Sequence, residues 1–371
     1  MSARRDLQCD RFAERARAFA ALHAGVPVDR FVRNLSARID TLETGAGPLP
    51  VTVHDAEPGN AWVCSPRTTY VDCAGEESER YLPRWATRAL RPVLATTGAL
   101  MARAGLDRAV SVNNWLLSTN LYPVVGAVDV PALLRQSMDR WPDHAIWLRS
   151  LNEVDDAGWL AALERAGCRL VASRQIYLYE DLDAAAARHR DLRRDLKGLQ
   201  RTALTPCADA DITDADYARI AELYTLLYIG KYSRFSPAYT AGFLRAWHAA
   251  GLLEFEGFRG EDGRLLTVLG LFRHGRTATT PIVGYDTALP PRLGLYRLAT
   301  ACAYRACREQ GWRLNFSAGA SGFKRFRGGV PAIEYSAVMA AHLPRPRRAA
   351  IGLLSQATRR IGVPLLRRYR L

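Results

Sequence analysis

GWRLNFSAGASGFKRFRGG, residues Gly311–Gly329, is the densest part of a run from Thr279 to Ala340 whose reading decides the fold. Upstream, TTPIVGYDT (Thr279–Thr287) reads as a strand, and Leu289-Pro290-Pro291-Arg292-Leu293-Gly294 as the turn leaving it. Apolar residues then return at helical spacing over roughly Leu293–Gln310, through Leu295, Leu298, Cys302 and Tyr304–Ala306. Gly311 stands where a left-handed cap ends such a helix. A short strand (Arg313–Phe316), a small-residue loop (Ser317–Gly322), a turn carrying Phe323-Lys324-Arg325-Phe326, the hinge Gly328-Gly329 and a closing strand (Ile333–Ala340) follow. Strand, crossover helix and strand is the order of an α/β unit that holds its ligand beyond the strand ends.

Outside this run the totals set bounds. At 371 residues the chain is long for one core, so two domains are expected. Hydrophobic content of 49% with 24% charged residues is that of a globular protein, and no run of eighteen apolar residues suits a membrane span. The first residues lack the apolar core of a signal peptide. Seven scattered cysteines without a CxxC read as reduced thiols, which predicts a cytoplasmic protein. The seven histidines show no metal spacing, so no metal is expected. Net charge is +14, but eight arginines and no acid lie between Arg345 and Leu371; without them it falls to +6. The surplus is therefore local, and nucleic-acid binding does not follow from it.

Taken in order, the chain opens with helical patterns over Cys9–Ala24 and Val28–Thr44. Val51–His54, Ala61–Cys64 and Arg67–Asp72 alternate like short strands, and a helix over Arg80–Gly105 has a bend at Pro92. Strand Ala109–Val112, helix Pro131–Arg140, strand His144–Leu151, helix Asp155–Ala166 and strand Cys168–Tyr179 then alternate. A charged stretch, His189–Arg201, reads as a solvated helix between the halves. Helices Asp214–Tyr228 and Ser236–Ala250, with Ser236 as cap and Pro237 behind it, precede strands Leu252–Phe258, Leu265–Arg273 and Arg276–Tyr285.

Gly284-Tyr285-Asp286, the helix opened by Arg292-Leu293-Gly294, and Phe323-Lys324 ahead of Gly328-Gly329 together carry a likeness. Over about Ile212–Leu343 the chain resembles the C-terminal half of FemAB-like proteins of the GNAT acyltransferase superfamily, in their BioF-like and CelD-like branch. The resemblance implies an α/β fold with mixed sheets and tandem GNAT-like domains, the second half being the better match. It divides the chain into an N-terminal degenerate GNAT-like domain (1–187), a charged connector (188–211), an acyltransferase domain (212–343) and a basic tail (344–371). It also implies an N-acyltransferase with no permanently bound cofactor, using acyl-CoA or an acyl carrier protein thioester as co-substrate. Arg292 and Gly294 match a fragment of the superfamily's phosphate-binding Q/R-x-x-G-x-G/A loop, which is absent in full.

Each candidate residue carries a chemical reason and a plainer alternative. Tyr285 and Asp286 stand at the carboxyl end of the central strand; Asp286 serves there as a general base or as the cap of a turn. In the family the lysine matching Lys324 neutralises the anion forming on the acyl carbonyl; alone, it is a solvated cation beside Arg325 and Arg327. Ser317 and Gly319 lie in a loop whose amides suit a phosphate or carbonyl, with Phe323 and Arg325 (and, more weakly, Arg327) beside the same ligand. Lys231 and Tyr232, between the two helices, suit an acceptor, or merely link helices. Asn114, Trp115 and Asn120 form an amide-rich loop fit for a peptide or sugar acceptor, unless it only satisfies its own backbone. In the tail, Ile351, Leu354, Ile361 and Leu365 share a side opposite arginines, the composition of an interfacial helix on an anionic membrane, of a disordered basic tail or of an RNA-contacting arm. The expected activity is transfer of an acyl group to an amine or hydroxyl of a small molecule, peptide or sugar, in the cytoplasm or at the inner face of the plasma membrane. Aminoacyl-tRNA as donor, and a catalytically silent GNAT-like binding module, are the alternatives.

Overall fold

The computed structural model describes residues 2–369, with side chains from residue 11 onward. Arg370, counted in the basic tail, lies outside the described residues. The protein is mixed α/β and condenses into two compact units, each assembled from separate stretches of chain. The first comprises 1–29, 34–175 and 332–371; the second comprises 30–33 and 176–331.

In chain order the first unit contributes α1 (Ser2–His23), β1 (Arg38–Thr44), β2 (Gly47–Asp55), α2 (Ala74–Tyr81), α3 (Arg84–Arg103), β3 (Arg108–Val112), α4 (Val130–Arg140), β4 (Ala145–Asn152), α5 (Ala157–Arg165) and most of β5 (Arg169–Tyr179). The second unit holds α6 (Leu182–Arg188), α7 (Arg190–Arg201), β6 (Thr205–Cys207), α8 (Asp216–Leu227), α9 (Ala241–Ala249), β7 (Glu254–Arg259), β8 (Leu265–His274), β9 (Thr277–Tyr285), α10 (Leu295–Gln310), β10 (Arg313–Asn315) and α11 (Ser321–Arg325). Then β11 (Val330–Met339), α12 (Arg345–Ala357) and α13 (Val363–Tyr369) return to the first.

Within the first unit the strands run β1-β2-β3-β4-β11-β5, with β3 parallel to β4 and β11 antiparallel to β4. Every residue of β4 (AIWLRSLN) is buried, as expected of a strand covered on both faces. Local chemistry sets its flanking helices: Asp129 accepts from the Ala132 amide to cap α4, and Pro131 sits in the first turn. Within the second unit the order is β6-β7-β8-β9-β10, then residues 178–179 of β5 beside β10. Its core gathers Leu227, Leu269, Val283, Leu298, Cys302, Tyr304, Leu314 and Phe316.

The strand alternation from β3 to β5 and from β7 to β10 follows the sequence expectation; several other segments differ. Val28–Thr44 is not one helix but a short turn followed by β1, because Arg38–Thr44 finds a partner in β2. Ala61–Cys64 and Arg67–Asp72 pair with no strand; Thr68–Cys73 is a helical turn leading into α2. Helix α9 starts at Ala241 with Thr240 as cap, not at Ser236, since the Thr240 hydroxyl accepts from the Phe243 amide. Helix α7 is only partly solvated, for Leu192 and Asp195 are buried. The strand expected to close the second half, β11, pairs with β4 of the first unit.

The tail also differs from an interfacial helix. Ile351 and Leu354 are buried in a core with Met101, Trp147 and Val171, and Leu366 packs with Ala172 and Ile333. The Ser355 hydroxyl donates to the Leu170 carbonyl at 2.6 Å. Half of the apolar side expected to meet a bilayer is thus spent inside this unit, leaving Ile361 exposed and Leu365 half-buried. No helix among the described residues is long and apolar enough to cross a membrane.

His54 gives the first unit a pH dependence. Its buried ring lies 3.1 Å from Asp107 and 2.7 Å from Glu57. Burial pulls its pKa down, but the Asp107 hydrogen bond and charge, with the charge and hydrogen bond of Glu57, outweigh burial and raise it above 6.5. A raised folded pKa stabilises fully below the unfolded value and is lost as pH climbs through the folded one. The melting temperature is therefore expected to fall as pH rises from about 6.5 through the raised folded-state value. His54→Gln, followed by calorimetry, should flatten that slope; an unchanged slope removes His54 as its cause.

Candidate active site

Parallel strands β9 and β10 pair over three positions only, Thr277, Ala278 and Thr279 against Arg313, Leu314 and Asn315. Beyond Thr279 they part. Against β8 the register of β9 slips between Gly270↔Ile282 and Phe272↔Thr279, so β9 holds one extra residue at Thr280–Pro281. Proline has no amide to give a ladder, and a bulge is where a strand tolerates it. From Thr280 to Tyr285, β9 continues with β8 alone, leaving its other edge open. At the throat of this split the Thr279 hydroxyl is buried without a hydrogen-bond partner.

Three elements flank the open end. Helix α8 presses directly on β9: a Cβ on Gly284 would come within 2.6 Å of the Leu223 carbonyl carbon and 2.7 Å of the Tyr224 amide. Glycine is required there by space. Helix α10 opens at Gly294, which takes a left-handed conformation (φ +64°) after the exposed Arg292. The loop after β10 has three left-handed residues, Ser317, Gly319 and Ala320, at φ +54°, +80° and +48°. Two of these are not glycine, so the loop is strained and something must hold it.

Lys324 holds it. Buried at 4% exposure, its ammonium donates to the carbonyls of Phe316 (2.6 Å), Ser317 (3.2 Å) and Ala318 (2.7 Å). These three main-chain contacts make the ammonium a clamp for the loop. Asp286 is likewise engaged. One oxygen accepts from Arg219 at 2.6 Å and the other from the Ala288 amide at 3.0 Å. Burial raises its pKa, but the hydrogen bond from Arg219, the Ala288 amide and the charges of Arg219 and Arg264 outweigh burial and lower it. A carboxylate so held caps the turn and is a weak base, which corrects the general-base reading. Arg327, named above as a phosphate ligand, is buried and paired with Asp195, and its Nη1 donates to the Phe323 carbonyl.

Other candidates are brought together. Lys231 Nζ donates to the Tyr285 hydroxyl at 3.3 Å. The Tyr285 and Tyr296 rings lie 6.0 Å apart, and Tyr296 and Phe323 4.9 Å. Tyr228 and Tyr232 follow at 5.9 Å from each other, both close enough to add, with burial first, to the strongly raised pKa of Tyr296. This tyrosine-rich wall includes two residues, Tyr228 and Tyr296, that the sequence did not single out. Arg325 is exposed on the same turn as Phe323. Asn114, Trp115 and Asn120 belong to the first unit and are buried. Asn114 Nδ2 donates to Thr52 and to the Val63 carbonyl, and Asn120 Oδ1 accepts from the Trp115 amide. Asn120 Nδ2 apart, loop and backbone satisfy each other there, so these three buried side chains are not an open acceptor surface.

Comparison with known proteins adds a domain match over part of the chain. Residues 186–325 match the model of the acetyltransferase (GNAT) domain. No curated protein matches the chain. Among solved structures it is similar to the C-terminal domain of a putative lysylphosphatidylglycerol synthetase from Agrobacterium fabrum, at 15% identity, 62% of this chain, 77% of that one and a TM-score of 0.45. It is similar to FemX at 13% identity, 61% and 78% coverage and a TM-score of 0.44. A tandem GNAT protein from the clavulanic acid pathway follows at 12% identity, 64% and 76% coverage and a TM-score of 0.39.

Proposed function

We propose, from the match of residues 186–325 to the acetyltransferase (GNAT) domain, that the chain moves an acyl group from a thioester donor, acyl-CoA or acyl carrier protein, to an amine. The split between β9 and β10 carries this reading. An open strand edge offers a row of amide and carbonyl groups to an extended chain that has amides of its own. The pantetheine arm of a thioester donor is such a chain, and Thr280–Tyr285 is the edge it would line. The donor's pyrophosphate fits the opening turn of α10 beside Arg292, where unpaired amides favour an anion. Main-chain amides of the strained loop, which Lys324 holds, are placed to receive the carbonyl oxygen as it gains charge.

In the proposed step the amine nitrogen attacks the thioester carbonyl carbon and a C–N bond forms. The tetrahedral intermediate collapses by breaking C–S. Tyr285 gives its hydroxyl proton to the departing thiolate, and the Lys231 ammonium stabilises the phenolate left behind; the amine's surplus proton leaves to water. Tyr232 and Phe323 form apolar walls for the acceptor. An acceptor carrying a hydroxyl, peptide or sugar fits the same mouth.

Titration with free CoA tests the donor. A ligand of the native state stabilises it by mass action, by about 2.7 kcal/mol at a hundredfold excess over Kd. CoA is thus expected to raise the melting temperature saturably. Silence toward CoA together with tRNA binding that weakens steeply with salt would replace the thioester by aminoacyl-tRNA. Silence toward both would leave a binding module.

A further inference from the structure

The first unit contains a cluster that the acyl-transfer reading does not use. In β4, Leu151 pairs with Tyr335 and Leu148 with Ala337, so Arg149 and Ser150 together oppose the single residue Ser336. Ser150 takes a left-handed conformation (φ +67°) to accommodate this bulge. Bulges re-aim side chains. Here the result is a guanidinium, 8% exposed, lying 4.9 Å from the centre of the Trp62 ring. Arg174 lies 4.8 Å from the same ring.

One acid stands near both arginines, and only Arg174 pairs with it. Arg174 grips Glu334 through Nε and Nη2, each at 2.9 Å, and both carboxylate oxygens are taken. Arg149 donates only through Nη1, to the Val63 carbonyl at 2.8 Å and Asn114 Oδ1 at 3.1 Å. Its Nε and Nη2, the same edge with which Arg174 holds Glu334, meet no acceptor among the described residues. Burial pulls the pKa of Arg149 down, with the charge of Glu334 opposing, yet an arginine stays protonated in a protein. A buried charge without a counter-charge is costly, and such groups normally pair. The surrounding loop is built to hold this edge still: Asn113 and Leu116 both adopt left-handed conformations on either side of Asn114. Two further buried groups on these segments, Ser150 Oγ and Asn120 Nδ2, also lack partners. Trp62 is half-buried, so the cluster is reachable from solvent.

We propose that Arg149, set against Trp62 and Arg174, forms a binding site for the carboxylate or phosphate end of a small ligand. The open Nε–Nη2 edge is a planar fork that matches two oxygens of either group. Asn114 and Glu334 are positioning residues: one orients Arg149, and the other keeps Arg174 from repelling it.

Sodium phosphate and sodium acetate, titrated into the full chain at constant ionic strength, test this. At least one anion is expected to raise the melting temperature saturably. Arg149→Met, similar in length and uncharged, should fold yet need at least ten times more of that anion for half the rise. Arg149→Lys keeps the charge and removes the fork, and should show the same weakening if the methionine variant does not fold. A larger response to phosphate assigns a phosphate end, and the reverse assigns a carboxylate. No saturable rise with either anion, or an equal rise in the Arg149 variants, overturns the proposal.

Discussion

Replacing Tyr285 by phenylalanine is expected to lower kcat for acyl transfer by about 10²-fold, the lower end for losing a positioned proton donor. The donor's KM should change little, because the strand edge proposed to bind it is main chain. Lys231→Met removes the charge 3.3 Å from that hydroxyl and should give a smaller fall in the same direction. Full activity in the Tyr285→Phe enzyme would assign proton transfer to another group or to water.

The second large effect concerns stability. Asp195 has a fully buried side chain that receives Arg327 through one oxygen and Arg297 through the other. Arg327 is nearly as buried, and its guanidinium also lies over the Phe323 ring. Removing one partner of a buried pair leaves an uncompensated charge and costs about 3–5 kcal/mol. Asp195→Asn is therefore expected to lose stability on that scale in urea denaturation. Arg297→Met, which removes a half-exposed cation, should cost no more than about 1 kcal/mol. Equal, small losses from both would show that Asp195 is solvated in solution and holds neither α10 nor the Phe323 turn.

The strands and helix of the second half were legible because their signals are local. Alternation, an apolar stripe and glycines at Gly294 and Gly311 each act within a few residues. The site was legible as a place and less so as a set of roles. Asp286 and Lys324 were found, but what they touch was not, since Arg219 lies 67 residues before Asp286 and the acceptors of Lys324 are main-chain carbonyls. The tail shows the same limit. A stripe through Ile351 and Leu354 says that one side is covered, and the same stripe serves a bilayer or a protein core. Pairing of β11 with β4 left no trace in periodicity, because a strand carries its own pattern and not its neighbour's.

That pairing has a consequence for biosynthesis. The first unit needs β11 between β4 and β5, so its sheet stays incomplete until the chain has been synthesised as far as residue 339. By then every residue of the second unit has been synthesised before it. The usual order, in which an N-terminal domain folds first and waits for its successor, is unavailable. Through the translation of nearly two hundred residues, β4 and β5 keep unpaired edges, which is where non-native strands add and nascent chains aggregate. Chaperone dependence during synthesis is the cost of this topology, and a fragment ending at the charged stretch after β5 would carry the same unsealed edges permanently.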